Sequence, residues 1–414
     1  MRIALMTNNY KPIMGGVPIS IERLAEGLKS LGHSVTIFAP TYQNQQEEDD
    51  VFRYATLSQR FMGGIVLPNP FDHHIEQEFR RQDFDLIHVH HPILIGRTAV
   101  YLAKKYNIPL VFTYHTRYEQ YLSYVKAIAA MERCASKDSS TVSELSEDCL
   151  YLIKDRFMPL YLNTFLKHCD FVFAPTDGMK GYLEQVCGIS PARLGILPTG
   201  LQGGQFLVSA QEKRSLRQRY GAECKTLFLT VSRMSHEKNI VFLLESLVKL
   251  KKISKKDFRM LCVGDGPDRE EYERLSQSYG LSENVIFTGA VPNNETAVYF
   301  NAADAFLFAS KTETQGIVVL EAFAGETPVL AVEASGVSDM VQSGYNGILT
   351  KEDTDDYAGM LADFLAGKYD RLAMGQNALE TALSYREEAV AMQAVSYYNT
   401  IKLRFAQAKS VAMR

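Results

Sequence analysis

At 414 residues the chain is too long for one ordinary core, and at about 150 residues per domain it suggests two or three. Apolar residues make up 46% of it and charged residues 22%, the balance of a soluble globular protein. A net charge of -4 excludes a global pull toward nucleic acid or anionic membrane, so no nucleic-acid partner is expected and any membrane contact has to be local.

Short apolar runs alternate with amphipathic helical stretches along the whole chain. Arg2–Thr7 and Val35–Ala39 read as buried strands, with Ile19–Leu31 between them as a helix. An acidic stretch from Gln43 to Asp50 reads as a solvated loop. Leu86–His90, Leu110–Tyr114 and Phe171–Ala174 continue the strand series. A second series runs through Leu227–Ser232, Arg259–Val263, Val285–Thr288, Ala305–Ala309 and Pro328–Val332, with a last strand-like run near Gly347–Leu349. Strand–helix alternation of this length predicts an α/β protein with doubly wound parallel sheets. The series breaks at residues 198–212, a glycine-rich polar stretch, so the domains are placed at 1–200 and 201–385.

The six cysteines (Cys134, Cys149, Cys169, Cys187, Cys224 and Cys262) include no CxxC pair and read as reduced, mostly buried thiols. The N-terminus MRIALMTNNY is too short in its apolar run for a signal peptide. No window approaches the roughly 18 continuous apolar residues of a spanning helix. A cytoplasmic location is expected.

Ligands of open parallel sheets bind beyond the carboxyl ends of the strands, and the chemistry-bearing residues cluster there. The first strand ends in NNYKPIMGGVPIS, where Gly15 and Gly16 let backbone N–H groups approach a phosphate or sugar. The GxGxxG spacing is missing and the second strand ends without an acid, which disfavours NAD; a plain tight turn explains the glycines equally well. DLIHVHHP and VFTYHTRYEQY place His88, His90, His91 and His115 at strand ends. Their spacing matches no zinc pattern and no carboxylate completes it. His115 is read as a polar contact to substrate, with a satisfied structural histidine as the competing reading.

TVSRMSHEKNIVFLLESL sets Arg233 and Lys238 between a strand and a helix, where two cations can bracket a diphosphate or simply be solvated surface charges. CVGDGPDREEYERL adds a turn with Gly264 and Gly266. FASKTETQGIVVLEAFAGETPVLA carries Glu313 and Glu321 with seven residues between them, and Gly316 opens a helix there. The N–H groups of Gly316, Ile317 and Val318 at that helix start suit a donor phosphate. Capping and surface charge are the competing reading of the two acids. The DxD strings Asp83/Asp85 and Asp353/Asp355 read as acids flanking strands or helices.

The glycine pair after the first strand, His115 in FTYH, SRMSHEKN, GDGP and the E-x7-E segment together resemble glycosyltransferase family 4, in order over nearly the whole chain. The resemblance implies a GT-B fold, two Rossmann-like domains facing across a cleft, with a nucleotide-sugar donor held mainly by the second. It implies diphosphate contacts from Arg233 and Lys238, sugar contact from Glu313, ribose contact from Glu321, and donor contacts from Gly15, Gly16, Gly264, Thr314, Gly316, Ile317 and Val318. His115, Arg233, Lys238 and Glu313 are the implied catalytic group, with retention of configuration and no metal or other cofactor. It also implies that a last helix, 386–414, packs back on the first domain.

HTRYEQY, the helical stretch from Arg117 to Lys167, and LPNP at Leu67–Pro70 look most like bacterial diacylglycerol glucosyltransferases. That implies α-glucose transfer from UDP-glucose to diacylglycerol at the inner face of the cell membrane, with Tyr118 and Tyr121 on the acceptor side. The stretch 117–167 holds seven cations and seven anions, where a membrane-binding surface would be basic. Transfer to a soluble or polyprenyl-linked saccharide is therefore the alternative acceptor class. A nucleotide-sugar hydrolase or epimerase on the same fold, or a non-catalytic binder of nucleotide sugars, are the alternatives from other classes.

Overall fold

A computed structural model of the chain describes residues 1–13, 15–59, 66–117, 158–202, 204 and 206–412. The chain divides into two compact units: Met1–Gly200 with Glu387–Arg414, and Leu201–Arg386.

In the first unit the strands are β1 (Arg2–Met6), β2 (Ser34–Pro40), β3 (Val51–Tyr54), β4 (Thr56–Ser58), β5 (Leu67–Pro68), β6 (Leu86–Val89), β7 (Leu110–Thr113), β8 (Phe171–Ala174) and β9 (Leu194–Ile196). Seven of them form a parallel sheet in the order β3-β2-β1-β6-β7-β8-β9, and β4 and β5 pair as a small antiparallel ribbon. In the second unit β10 (Thr226–Val231), β11 (Phe258–Val263), β12 (Val285–Gly289), β13 (Ala305–Phe308), β14 (Val329–Val332) and β15 (Gly347–Thr350) form a parallel sheet in the order β12-β11-β10-β13-β14-β15.

The near-continuous apolar strands follow from burial on both faces. Successive residues of β1 point into opposite cores: Ala4 and Met6 join Ile87, Phe112 and Val172, while Ile3 and Leu5 join Leu86, Val111 and Phe173. β10 divides in the same way, Phe228 going to one core and Leu227 and Leu229 to the other. In each sheet the strand order reverses beside the first strand, between β1 and β6 and between β10 and β13. Crevices for ligands open at such reversals, beyond the strands' carboxyl ends.

Four details differ from the sequence reading. The first helix begins at Gly16 rather than Ile19. The helix Ala210–Arg219 starts inside the predicted linker, because Ser209 and Glu212 close a reciprocal capping box. β3 is an edge strand with three of its four residues only partly buried, and the strands of the β4–β5 ribbon and β9 have two or three residues, so none of them leaves an apolar run to read. Of the cysteines described, Cys169 and Cys262 are buried, Cys187 is partly buried and Cys224 is exposed.

The helix Glu387–Ala412 lies in the first unit, where Val390, Ala394, Tyr398 and Ile401 complete the core formed by Ile3, Leu5, Ile21 and Leu24. Its first residue, Glu387, packs against Gly200, where a Cβ would stand 2.8 Å from the Glu387 Cα. Burial, then the neighbouring Glu26 and Glu388, push its carboxyl up to about 7, with Arg23 opposing and Glu22 adding to the rise. A carboxyl raised in the folded state loses stability as pH climbs from the ordinary carboxylate range through that value. Relative to Glu387→Leu, the wild type is therefore expected to lose about 1–2 kcal/mol between pH 5 and pH 8, read from thermal midpoints of both proteins.

Among the described residues no helix is long and apolar enough to cross a membrane.

Candidate active site

In the second unit, the chain leaves β10 through Ser232–Ser235 into a short 3-10 turn, His236–Lys238, ending at Asn239 in the left-handed region. This turn is laid against the one that follows β11. Met234 N–H donates to the Asp265 carbonyl and Asp268 N–H to the Met234 carbonyl. The approach is so close that a Cβ at Gly264, where φ is +132°, would stand 1.9 Å from the Ser232 carbonyl oxygen, and one at Gly266 2.3 Å from the Met234 carbonyl oxygen. GDGP is thus a backbone-to-backbone support for the segment carrying Arg233 and Lys238.

Lys238 Nζ donates to Glu313 Oε1 at 2.5 Å, and the Ser310 hydroxyl donates to the same oxygen at 2.7 Å. Glu313 follows β13, the strand paired with β10 on the far side of the order reversal. Both side chains are less than a fifth exposed, at 19% and 18%. Burial pushes the Glu313 carboxyl up, but the Lys238 ammonium and the Ser310 hydroxyl outweigh it and hold the group below its usual range. Glu313 is therefore ionised at neutral pH, an acceptor fixed beside a cation.

Three residues on, Gly316 adopts φ +77° and caps the helix Ile317–Ala324. A side chain is strained there, and the bend aims the helix start back at the Glu313 loop. Thr314 lies in that loop, which is backed by Gly336, where a Cβ would stand 2.7 Å from the Glu313 carbonyl oxygen. Ile317 and Val318 are partly buried, and Glu321, on the same helix, is buried. Arg233 is exposed in the turn after β10. Ser310 carried little sequence signal, only its place directly after a strand.

In the first unit, Gly15 and Gly16 stand at the start of the helix Gly16–Ser30, just after the β1 loop. His88, His90, His91 and His115 gather at the β1–β6 reversal, and burial pushes all four imidazoles down, His88 to about 3 and His91 to about 4. Each nitrogen contact found is to a polar protein atom. His88 meets Tyr398 Oη at 2.7 Å and Thr113 Oγ1 at 2.6 Å; His90 Nδ1 meets His115 Nε2 at 2.8 Å; Asn8 N–H donates to His91 Nδ1 at 3.2 Å. His88 sits inside β6 rather than at its end. Tyr118 and Tyr121, and most of the stretch from Arg117 to Lys167, lie outside the described residues.

Elsewhere among the described residues, Asp72, His73 and His74 are close enough together to share a metal ion, and there Asp72 already caps the following helix. The DxD acids are structural: Asp85 accepts from Arg2 N–H and Lys402, and Asp353 caps the helix Thr354–Ala366.

Two doubly wound units, with the Lys238–Glu313 pair at the strand-order reversal of one and neutral imidazoles at that of the other, have the architecture of GT-B glycosyltransferases. The Glycosyltransferase Family 4 model matches residues 14–202 and the model for glycosyl transferases group 1 matches residues 212–381. Alpha-monoglucosyldiacylglycerol synthase of Acholeplasma laidlawii is 28% identical over 84% of this chain and 84% of its own. The synthase of the same name from Streptococcus pneumoniae is 29% identical over 89% of this chain and 79% of its own. The crystal structure of HepE from Anabaena in complex with UDP matches with a TM-score of 0.71 at 16% identity, covering 97% of this chain and 100% of that one. The chain belongs to glycosyltransferase family 4 and is a hexosyltransferase.

Proposed function

We propose that the chain is a retaining, metal-independent glucosyltransferase that moves α-glucose from UDP-glucose onto the hydroxyl of diacylglycerol at a membrane surface. The observation that carries the donor half is the ionised Glu313 held on Lys238 beside the start of the helix Ile317–Ala324. The acceptor half is supported by the two diacylglycerol-glucosylating relatives.

Cleaving the sugar–phosphate bond moves negative charge onto the leaving diphosphate. Arg233, Lys238 and the N–H groups at the helix start supply fixed positive charge and dipoles for it. Glu313 accepts hydrogen bonds from the sugar and Glu321 from the ribose. As the bond from the anomeric carbon to phosphate breaks, the acceptor oxygen bonds to that carbon on the same face. Its proton passes to the leaving phosphate oxygen, so no carboxylate nucleophile is required. Leu57, within β4 and 63% exposed, and Phe71, just after β5 and 88% exposed, give the first unit apolar surface for peripheral contact with lipid.

Purified protein with chelator, diacylglycerol vesicles and a panel of UDP-sugars is expected to yield hexosyl-diacylglycerol by mass spectrometry with UDP-glucose alone. Product with another donor would revise the sugar. UDP release without glycolipid would move the acceptor to a soluble or polyprenyl-linked saccharide.

A further inference from the structure

We propose that His90 is a positioning residue: it donates its Nδ1–H to His115 Nε2 and so holds the His115 ring with its own proton on Nδ1. The inference rests on the reading that His115 contacts substrate, and it adds how that ring is aimed and which atom carries the proton.

His90 is the first residue after β6 and is 1% exposed. Its ring is stacked on His88, with centroids 4.3 Å apart at 25°, and meets His115 edge to edge in nearly the same plane, with centroids 5.1 Å apart at 22°. His88 is itself held at both nitrogens, by Thr113 of β7 and by Tyr398 of the C-terminal helix. The row of imidazoles therefore runs from the core of the first unit to His115, and its far end is locked before His115 is reached.

One proton lies in the 2.8 Å contact between His90 Nδ1 and His115 Nε2, and it has two possible owners. If His115 donated it, a neutral His90 would carry its own proton on Nε2. That nitrogen is buried with no hydrogen-bond partner among the described residues. A buried N–H without an acceptor is rarer in folded proteins than a lone pair without a donor. Ownership by His90 leaves only a lone pair there. Both rings are held neutral, since burial pushes both imidazoles well below their usual range, so the proton of His115 falls on Nδ1. His115 then meets a substrate oxygen as a hydrogen-bond donor, and its Nε2 is not available as a base. Which ring nitrogen faces outward is commonly set by the bond the other one makes.

The test uses the full chain with its transferase assay, a UDP-binding measurement and nitrogen-15 spectra of the imidazoles. Wild-type His115 is expected to show a protonated Nδ1; a protonated Nε2 overturns the inference even if no variant folds. His90→Leu is expected to lower kcat by roughly 10- to 100-fold, as loss of the partner that orients a functional histidine does elsewhere, with UDP affinity and thermal midpoint unchanged. His90→Asn keeps an N–H near the Nδ1 position and is expected to recover most of the loss. Full kcat in His90→Leu, or no recovery in a folded His90→Asn, overturns it. Absence of turnover in the wild type with every donor would instead refute the proposed function, and the spectra would still report on His90.

Discussion

Lys238→Met is expected to lower kcat by about 100- to 1,000-fold, the scale on which enzymes lose a fixed group that stabilises developing negative charge. The structure supplies two reasons. Lys238 is the cation that a leaving diphosphate would meet at the β10–β13 reversal, and it is also what keeps Glu313 ionised. Without the ammonium, only the Ser310 hydroxyl opposes the burial that pushes the Glu313 carboxyl upward, and removing one partner of a buried pair leaves the other uncompensated. Under the proposed function Lys238 binds the diphosphate as well as stabilising it, so UDP affinity should weaken in the same variant. Glu313→Gln separates the two effects: it keeps a hydrogen-bonding group and the lysine, so it should retain UDP binding while losing turnover. Steady-state kinetics and calorimetric UDP titration read both, and a Lys238→Met enzyme with undiminished kcat would remove Lys238 from the diphosphate.

Gly264→Ala is expected to destabilise the second unit by about 3 kcal/mol or more, in the range reached when a special backbone position is violated. The added Cβ would stand 1.9 Å from the Ser232 carbonyl oxygen, and both sides of that contact are backbone. The residue also holds φ +132°. Neither the turn after β10 nor the one after β11 can yield without moving Arg233 and Lys238, so activity should fall with stability. At about 2–4 °C per kcal/mol for a unit of this size, the thermal midpoint would drop by roughly 6–12 °C. Gly32→Ala is the matched control: φ there is +80°, nothing lies within 4 Å of the added carbon, and only the left-handed backbone penalty of about 1–2 kcal/mol applies. Equal losses in the two variants would show that the close approach to Ser232 carries no special cost.

The alternation of buried strands with helices was legible because a parallel sheet covered on both faces needs apolar residues at every strand position. Runs such as Ala305–Phe308 and Val329–Val332 therefore stand out without any partner in view. The candidate site was legible for a related reason: residues that follow a strand must lie at its carboxyl end, so Arg233, Lys238, Glu313 and His115 could be placed beyond the carboxyl ends of their strands from spacing alone. β9 could not be read that way. It has three residues, and its Gly195 leaves room for the rings of Phe171 and Tyr397, which come from elsewhere in the chain.

Composition and local pattern therefore determined the α/β class of the fold and which polar residues follow its strands, because each rests on contacts within a few residues or on strand burial. What only the tertiary structure decided are the pairings. Lys238 reaches Glu313 across 75 residues, and His88 reaches Tyr398 across 310. GDGP, read as a glycine-rich turn in which the resemblance implied a donor contact from Gly264, is a brace for the turn beside it. A sequence shows that two cations and the acid Glu313 follow strand ends, but which of them share a charge depends on the order in which parallel strands are laid side by side. That order is set by long-range packing of the two cores, which leaves no local periodicity to read.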